Sequence, residues 1–169
     1  MRVIAISGSM GSGKTTVLGE ASDLLEAAGI PHAAIDLDAV SVHLLPDADS
    51  RRVDAGNVAS LVRNCAAAGI DNFLMAVAVE DRRSLRDLRE AIGEAEVTVC
   101  RLTAAPATMA ARVRRREPGM RQNEFVTRSR ALDEVLSTAA LEDFTIENDG
   151  RNVTAVAREL LARAGWISI

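Results

Sequence analysis

The octet Gly8-Ser9-Met10-Gly11-Ser12-Gly13-Lys14-Thr15 constrains this chain more than any other stretch. It fits G-x-x-x-x-G-K-[ST] without a mismatch, and its surroundings are those the pattern demands. The apolar run "RVIAIS" at 2–7 precedes it, and a helical stretch at 14–28, closed by Gly29, follows. Glycines let backbone N–H groups turn inward around an anion, and the helix behind them presents its positive end to the same point. Lys14 can reach β- and γ-phosphates, the Thr15 hydroxyl can ligate Mg²⁺, and Thr16 can touch an α-phosphate. The expected binding stretch therefore runs over Gly8, Ser9, Met10, Gly11, Ser12, Gly13, Lys14, Thr15 and Thr16.

Beyond the loop, strand and helix patterns alternate five times. Strands are expected at 2–7, 31–38, 72–79, 96–102 and 143–148. Helices are expected at 14–28, 53–68, 80–93, 105–117, 122–139 and 153–165. The third strand, "NFLMAVAV", is apolar throughout, as a strand buried on both faces should be. Such alternation predicts a three-layer α/β domain over 1–169, a parallel sheet with helices on both faces.

Composition narrows the function. Aromatics are 2% of the chain, so the core is built from aliphatic residues and there is no stacking platform for single-stranded nucleic acid. A net charge of −4 argues against a surface that coats nucleic acid. Cys65 and Cys100 sit in separate apolar segments and read as core thiols, and no His/Cys spacing suggests zinc. No apolar run approaches the ~20 residues of a membrane span. The expectation is a cytoplasmic protein, monomeric or homodimeric, with neither membrane nor nucleic acid as partner.

A phosphate loop serves switches, motors and kinases, so other residues must choose among them. The base-reading N-K-x-D segment of a GTP switch is missing. A small phosphotransferase needs a carboxylate for the acceptor hydroxyl, a second one near Mg²⁺, and arginines over the transferred phosphoryl. "AIDLDAV" offers Asp36 and Asp38, which alternation along a strand places on one face. Asp38 has a second reading, as the cap of a short helix that follows. Glu80, after the third strand, reads either as a substrate or metal-water contact or as a helix-start carboxylate, and Asp81 reads as the cap itself. Arg112, Arg114, Arg115, Arg116 and Arg121 crowd "ARVRRREPGMR". Arg112 and Arg116 share a helix face, and Pro118-Gly119 breaks the helix behind them. That arrangement suits a lid over 112–124; a solvated basic face is the plainer reading, and Arg114 is the expected bystander. His32 reads as surface, whereas His43, Arg82 and Arg121 are candidates for the acceptor pocket, which is expected to draw on 40–57, 80–83 and 121–128.

Three motifs, "GSMGSGKT", "IDLDAVSVHLLP" and "RLTAAPATMAARVRRRE", give the chain a resemblance to the small P-loop kinases of metabolites, such as shikimate, gluconate and adenylylsulfate kinases and chloramphenicol phosphotransferase. The resemblance covers nearly the whole chain. It implies a P-loop NTPase fold with strand order 2-3-1-4-5 and an arginine-rich lid. It also implies ATP and Mg²⁺, with Asp36 on the metal side, Asp38 as the base for an acceptor hydroxyl, and Lys14, Arg112 and Arg116 on the transferred phosphoryl. In such kinases the segment after the last strand packs on the nucleotide base, which singles out Asp149, Gly150 and Arg151 in "ENDGRNV". The chain departs from the D-G-D-N-V-R-H pattern of adenylylsulfate kinase at "DLDAVSVH", and from the Gly-Gly-arginine elements of shikimate kinase at "VAVEDRR". The reading is a Mg-ATP-dependent kinase of a small hydroxyl compound. Its alternatives are a nucleotide-binding regulatory protein without phosphotransfer, and a kinase of a nucleic-acid end.

Overall fold

The computed structural model describes residues 1–40 and 47–168. Five strands form one parallel sheet: β1 (Arg2–Ser7), β2 (Ala33–Asp36), β3 (Asn72–Ala76), β4 (Glu96–Thr103) and β5 (Phe144–Glu147). Their spatial order is β2-β3-β1-β4-β5, the order the resemblance implied. The helices are α1 (Lys14–Ala27), α2 (Leu37–Val40), α3 (Asp47–Ala67), α4 (Arg82–Ile92), α5 (Pro106–Arg116), α6 (Gln122–Ala139) and α7 (Val153–Arg163).

The strands are apolar at successive positions because each feeds two cores. Side chains alternate across a strand, so Ile4 and Ile6 of β1 point one way and Val3 and Ala5 the other. Ile4, Ile6, Leu74, Leu102 and Ile146 pack against Val17, Leu25, Leu160 and Leu161 of α1 and α7. Val3, Ala5, Phe73, Met75 and Val99 pack against Val58, Val62, Leu88 and Ile92 of α3 and α4. Trp166 closes the first core, 7% exposed, with the Arg2 guanidinium stacked 5.2 Å from its ring. A third, small cluster of Ala110, Val113 and Val126 joins α5 to α6 and reaches Met10 in the loop.

Most boundaries shift by a residue or two, and three of the differences have a plain physical reason. β2 stops at Asp36 rather than 38, because its only ladder partner, β3, ends at Ala76 opposite it. The chain turns there into α2, and Asp36 Oδ1 accepts the Asp38 N–H at 3.1 Å. Asp36 and Asp38 are therefore not two residues of one strand face. Secondly, β3 ends before 77–79; Val77 N–H still reaches Ile6 O, but Val79 N–H bonds the Ser7 hydroxyl instead of a strand. Thirdly, α3 begins at Asp47, earlier than the first apolar residue Val53 suggested. Arg51 and Arg52 in its early turns are exposed, and Arg52 pairs with Asp49 at 3.2 Å, so a polar opening turn hid the start.

Cys100 is buried among aliphatics, and that burial pushes its thiol up to about 12, which makes it an inert core group at neutral pH. No helix among the described residues is long and apolar enough to cross a membrane.

Candidate active site

The order β2-β3-β1-β4-β5 puts β1 in the centre, with the chain growing to either side of it, and ligand crevices in such sheets lie beyond the carboxyl ends of the strands. The Gly8–Gly13 loop leaves β1 at that edge and runs directly into α1. Gly11 has φ +82°, and a Cβ there would lie 2.6 Å from Met109 O. Gly13 has φ +103°, and its Cβ would overlap the Asn148 amide. Both positions thus demand glycine twice over, through backbone conformation and through packing. Gly13 is also the N-cap of α1. It supplies no side-chain cap, and the first turn carries no acid, so the opening amides of this helix find no side-chain partner.

Carbonyls of the loop are held from outside. Arg112 of α5 donates from Nη1 to Gly11 O and Ser12 O at 3.1 and 3.3 Å, and from Nη2 to Asn148 O at 3.0 Å. Asn148, just past β5 and 6% exposed, donates from Nδ2 to Ser12 O at 2.7 Å. Ser129 of α6, 1% exposed, donates to Met10 O at 2.6 Å, while Ser9 Oγ donates to the Ser129 carbonyl. Ser12 Oγ is buried and finds no hydrogen-bond partner among the described residues.

The charged groups stand on the inner side. Lys14 is 7% exposed; its Nζ donates to Gly8 O at 3.0 Å and lies 3.5 Å from Asp38 Oδ2. Asp38 is itself 63% exposed, so one oxygen faces Lys14 while the carboxylate stays open to a solute. Thr15 Oγ1 donates to Asp36 Oδ2 at 2.7 Å. Two oxygens so spaced come near the ~3.0 Å edge of an octahedron with arms of ~2.1 Å, the geometry Mg²⁺ requires. Thr15 and Asp36 are thus the two residues that could together hold a Mg²⁺ ion. Among the described residues no group of three His, Cys, Asp or Glu side chains could hold a metal by itself.

A cleft of about 460 Å³ brings most of the expected residues together: it is lined by Ser9, Met10, Gly11, Gly13, Lys14, Thr15 and Thr16 of the loop and helix start, and by Asp38, Arg112, Arg116 and Arg151. Gly8 and Ser12 lie beneath this lining, and Asp36 stands behind Thr15. Arg116 pairs with Glu117 at 3.1 Å, and Arg151 with Glu159 at 2.8 Å. The expected acceptor residues are less gathered. Glu80 and Arg82 are exposed and do not line this cleft. Arg121 grips Glu124 through two bonds of 3.0 and 2.7 Å, which raises its own pKa and lowers that of Glu124. His43 lies outside the described residues. Asp81 is the α4 cap, as expected.

Two residues of the site escaped the sequence reading. Asn148 sits at a strand's carboxyl end, the rule that pointed to Asp36, inside a segment where Asp149, Gly150 and Arg151 drew the attention. Ser129 follows Val126 and precedes Leu136 on the buried stripe of α6; a serine on that stripe was the available signal.

No protein-family model and no curated protein matches this chain. Solved structures do. The gluconokinase of Sinorhizobium meliloti 1021 superposes with a TM-score of 0.64 at 20% identity, over 97% of this chain and 91% of that one. The APS kinase of Mycobacterium tuberculosis, in complex with AMPPNP and APS, gives 0.64 at 16% identity, over 95% of each chain. The shikimate kinase of Acinetobacter baumannii, in complex with shikimate, gives 0.63 at 17% identity, over 96% and 92%. The fold is that of the small P-loop kinases.

Proposed function

We propose that this chain is a Mg-ATP-dependent kinase that transfers the γ-phosphoryl group to a hydroxyl of a small molecule. One observation carries the reading: the Asp38 carboxylate stands 3.5 Å from the Lys14 ammonium, at the mouth of a glycine loop whose helix end has no side-chain cap. A carboxylate at the phosphoryl end of the nucleotide, open to solvent, has the placement of a base for an incoming alcohol.

On this reading the loop amides and Lys14 hold the β- and γ-phosphates, with Nζ exchanging Gly8 O for phosphate oxygens. Thr15 and Asp36 hold Mg²⁺, which neutralises charge between those phosphates when bound. Asp38 orients the acceptor hydroxyl and takes its proton as the oxygen attacks phosphorus. Arg116 meets the charge on the transferring group. Arg112, engaged with three carbonyls, keeps the loop in shape and offers its remaining edge to the nucleotide; Arg151 borders the nucleoside end. The acceptor lies beyond Asp38, and Arg121 would have to leave Glu124 to reach it. Most of the rate comes from positioning and charge stabilisation.

The test is ADP release from Mg-ATP across sugars, sugar acids, shikimate, adenylylsulfate, nucleosides and hydroxylated antibiotics, with Lys14→Ala and Asp38→Asn beside the wild type. Stimulation of at least ~10-fold by one class, lost in both variants, is the expected result; that is about 1.4 kcal/mol of barrier. Nucleotide binding without stimulation by any acceptor, a crude metabolite extract included, overturns it in favour of a binding protein.

A further inference from the structure

Ser129 lies on α6 outside the cleft, and no role above requires it to touch a substrate. Hydroxyls on a helix usually bond back to a carbonyl of their own helix one turn earlier. Thr127, Ser137 and Thr138 of α6 do so, to Asn123 O, Asp133 O and Glu134 O. Ser129 differs: its proton goes to Met10 O at 2.6 Å, and its own carbonyl accepts from Ser9 Oγ. The two hydroxyl oxygens sit 3.1 Å apart, so loop and helix are clasped at two points.

In a trans peptide the carbonyl of one residue and the N–H of the next point to opposite sides. Met10 O is drawn toward α6, so the Gly11 N–H faces away from α6. Gly11 lines the cleft. The Ser12 N–H bonds Ser9 O at 3.2 Å and closes a turn here, but such a turn forms with either flip of its central peptide when a glycine follows it. An external lock is needed, and Ser129 is the hydroxyl in place. We propose that Ser129 is a positioning residue, which acts through the Met10–Gly11 peptide to aim a loop N–H at the phosphates of the bound nucleotide. The inference rests on the nucleotide reading above and deepens it.

The experiment is competition binding of Mg-ADP and AMP to wild type, Ser129→Ala and Lys14→Ala, with unfolding midpoints measured in parallel. Ser129→Thr and Ser129→Val form a second, nearly isosteric pair that differs in the hydroxyl alone, should the alanine variant not fold. Ser129→Ala and Ser129→Val are expected to weaken Mg-ADP about tenfold, the size of one buried hydrogen bond, while AMP stays within about twofold and Ser129→Thr keeps most of the affinity. Equal weakening of ADP and AMP, or a lowered midpoint with unchanged ADP binding, makes Ser129 merely structural and overturns the proposal. If wild type and Lys14→Ala bind Mg-ADP alike, the nucleotide reading itself falls and takes this one with it. If only Lys14→Ala loses binding, the nucleotide reading stands and the role of Ser129 is withdrawn.

Discussion

Helices α1 and α4 both start a few residues past the carboxyl end of a central strand, yet their first turns are finished in opposite ways. At α4 the Asp81 carboxylate accepts the Ser84 N–H at 2.6 Å, and the Ser84 hydroxyl accepts the Asp81 N–H at 3.0 Å. That capping box satisfies the opening amides internally, and the Ser84 N–H pulls the Asp81 pKa below its ordinary value. Helix α7 does much the same, with Asn152 accepting from Thr154 and Ala155. At α1 the cap position is Gly13, with no side chain to offer. A good cap contributes about 1 kcal/mol, so α1 forgoes a stability that α4 and α7 keep. Helices α5 and α6 also lack a side-chain cap, so a bare end alone does not set α1 apart; what distinguishes it is a glycine at the cap position with the Lys14 ammonium beside the same loop, where the proposed nucleotide would supply the missing acceptors.

The comparison can be broken most directly at Lys14. Lys14→Ala should lower phosphotransfer by about 10²–10³, the loss seen when one charge-stabilising donor is removed; initial rates with a stimulating acceptor check it. Gly13→Ala comes next. It forces a side chain into a left-handed conformation and into Asn148, which should lower stability by about 1–3 kcal/mol and abolish Mg-ATP binding, read by chemical unfolding and calorimetry. By contrast, Asp81→Ala should reduce stability by only about 1 kcal/mol and leave Mg-ATP affinity unchanged. An effect of Asp81→Ala on affinity would mean that the two helix ends are not independent. The smallest effect is acid dependence. The folded Asp81 pKa lies below the usual 3.8, so its cap contributes fully above that value and is lost as pH falls through the lower folded one. The stability gap between wild type and Asp81→Ala should therefore be flat at neutral pH and close in acid.

What the sequence made visible divides along the same line. The phosphate loop was legible because its chemistry is local: glycines, lysine and threonine at fixed spacing between a strand and a helix. The parallel sheet was legible from its apolar runs, whose two-sided burial the two cores explain. Asp38 does stand beside Lys14, but from the first turn of α2 and not from the strand face the alternation suggested; the missing strand partner past Ala76 explains why β2 ends early. Arg112 was legible by spacing, but its carbonyl partners on the loop and at Asn148 lie far away in sequence. Ser129 and Asn148 bond the loop across 119 and 136 residues, and no local pattern encodes such pairs. Arg121 pairs with Glu124, and that i,i+3 spacing is visible in the sequence itself.

The near absence of aromatic residues has a practical side. The chain has one tryptophan and no tyrosine, and Trp166 is buried in the core that α1 and α7 share. Its intrinsic fluorescence is therefore a single-site reporter on the half of the molecule that carries the phosphate loop. Melting of that half can be followed optically in the unaltered protein, with no dye and no competing emitter. The opposite core, under α3 and α4, holds no such emitter and stays dark, so a difference between tryptophan emission and circular dichroism during unfolding would show directly which half lets go first.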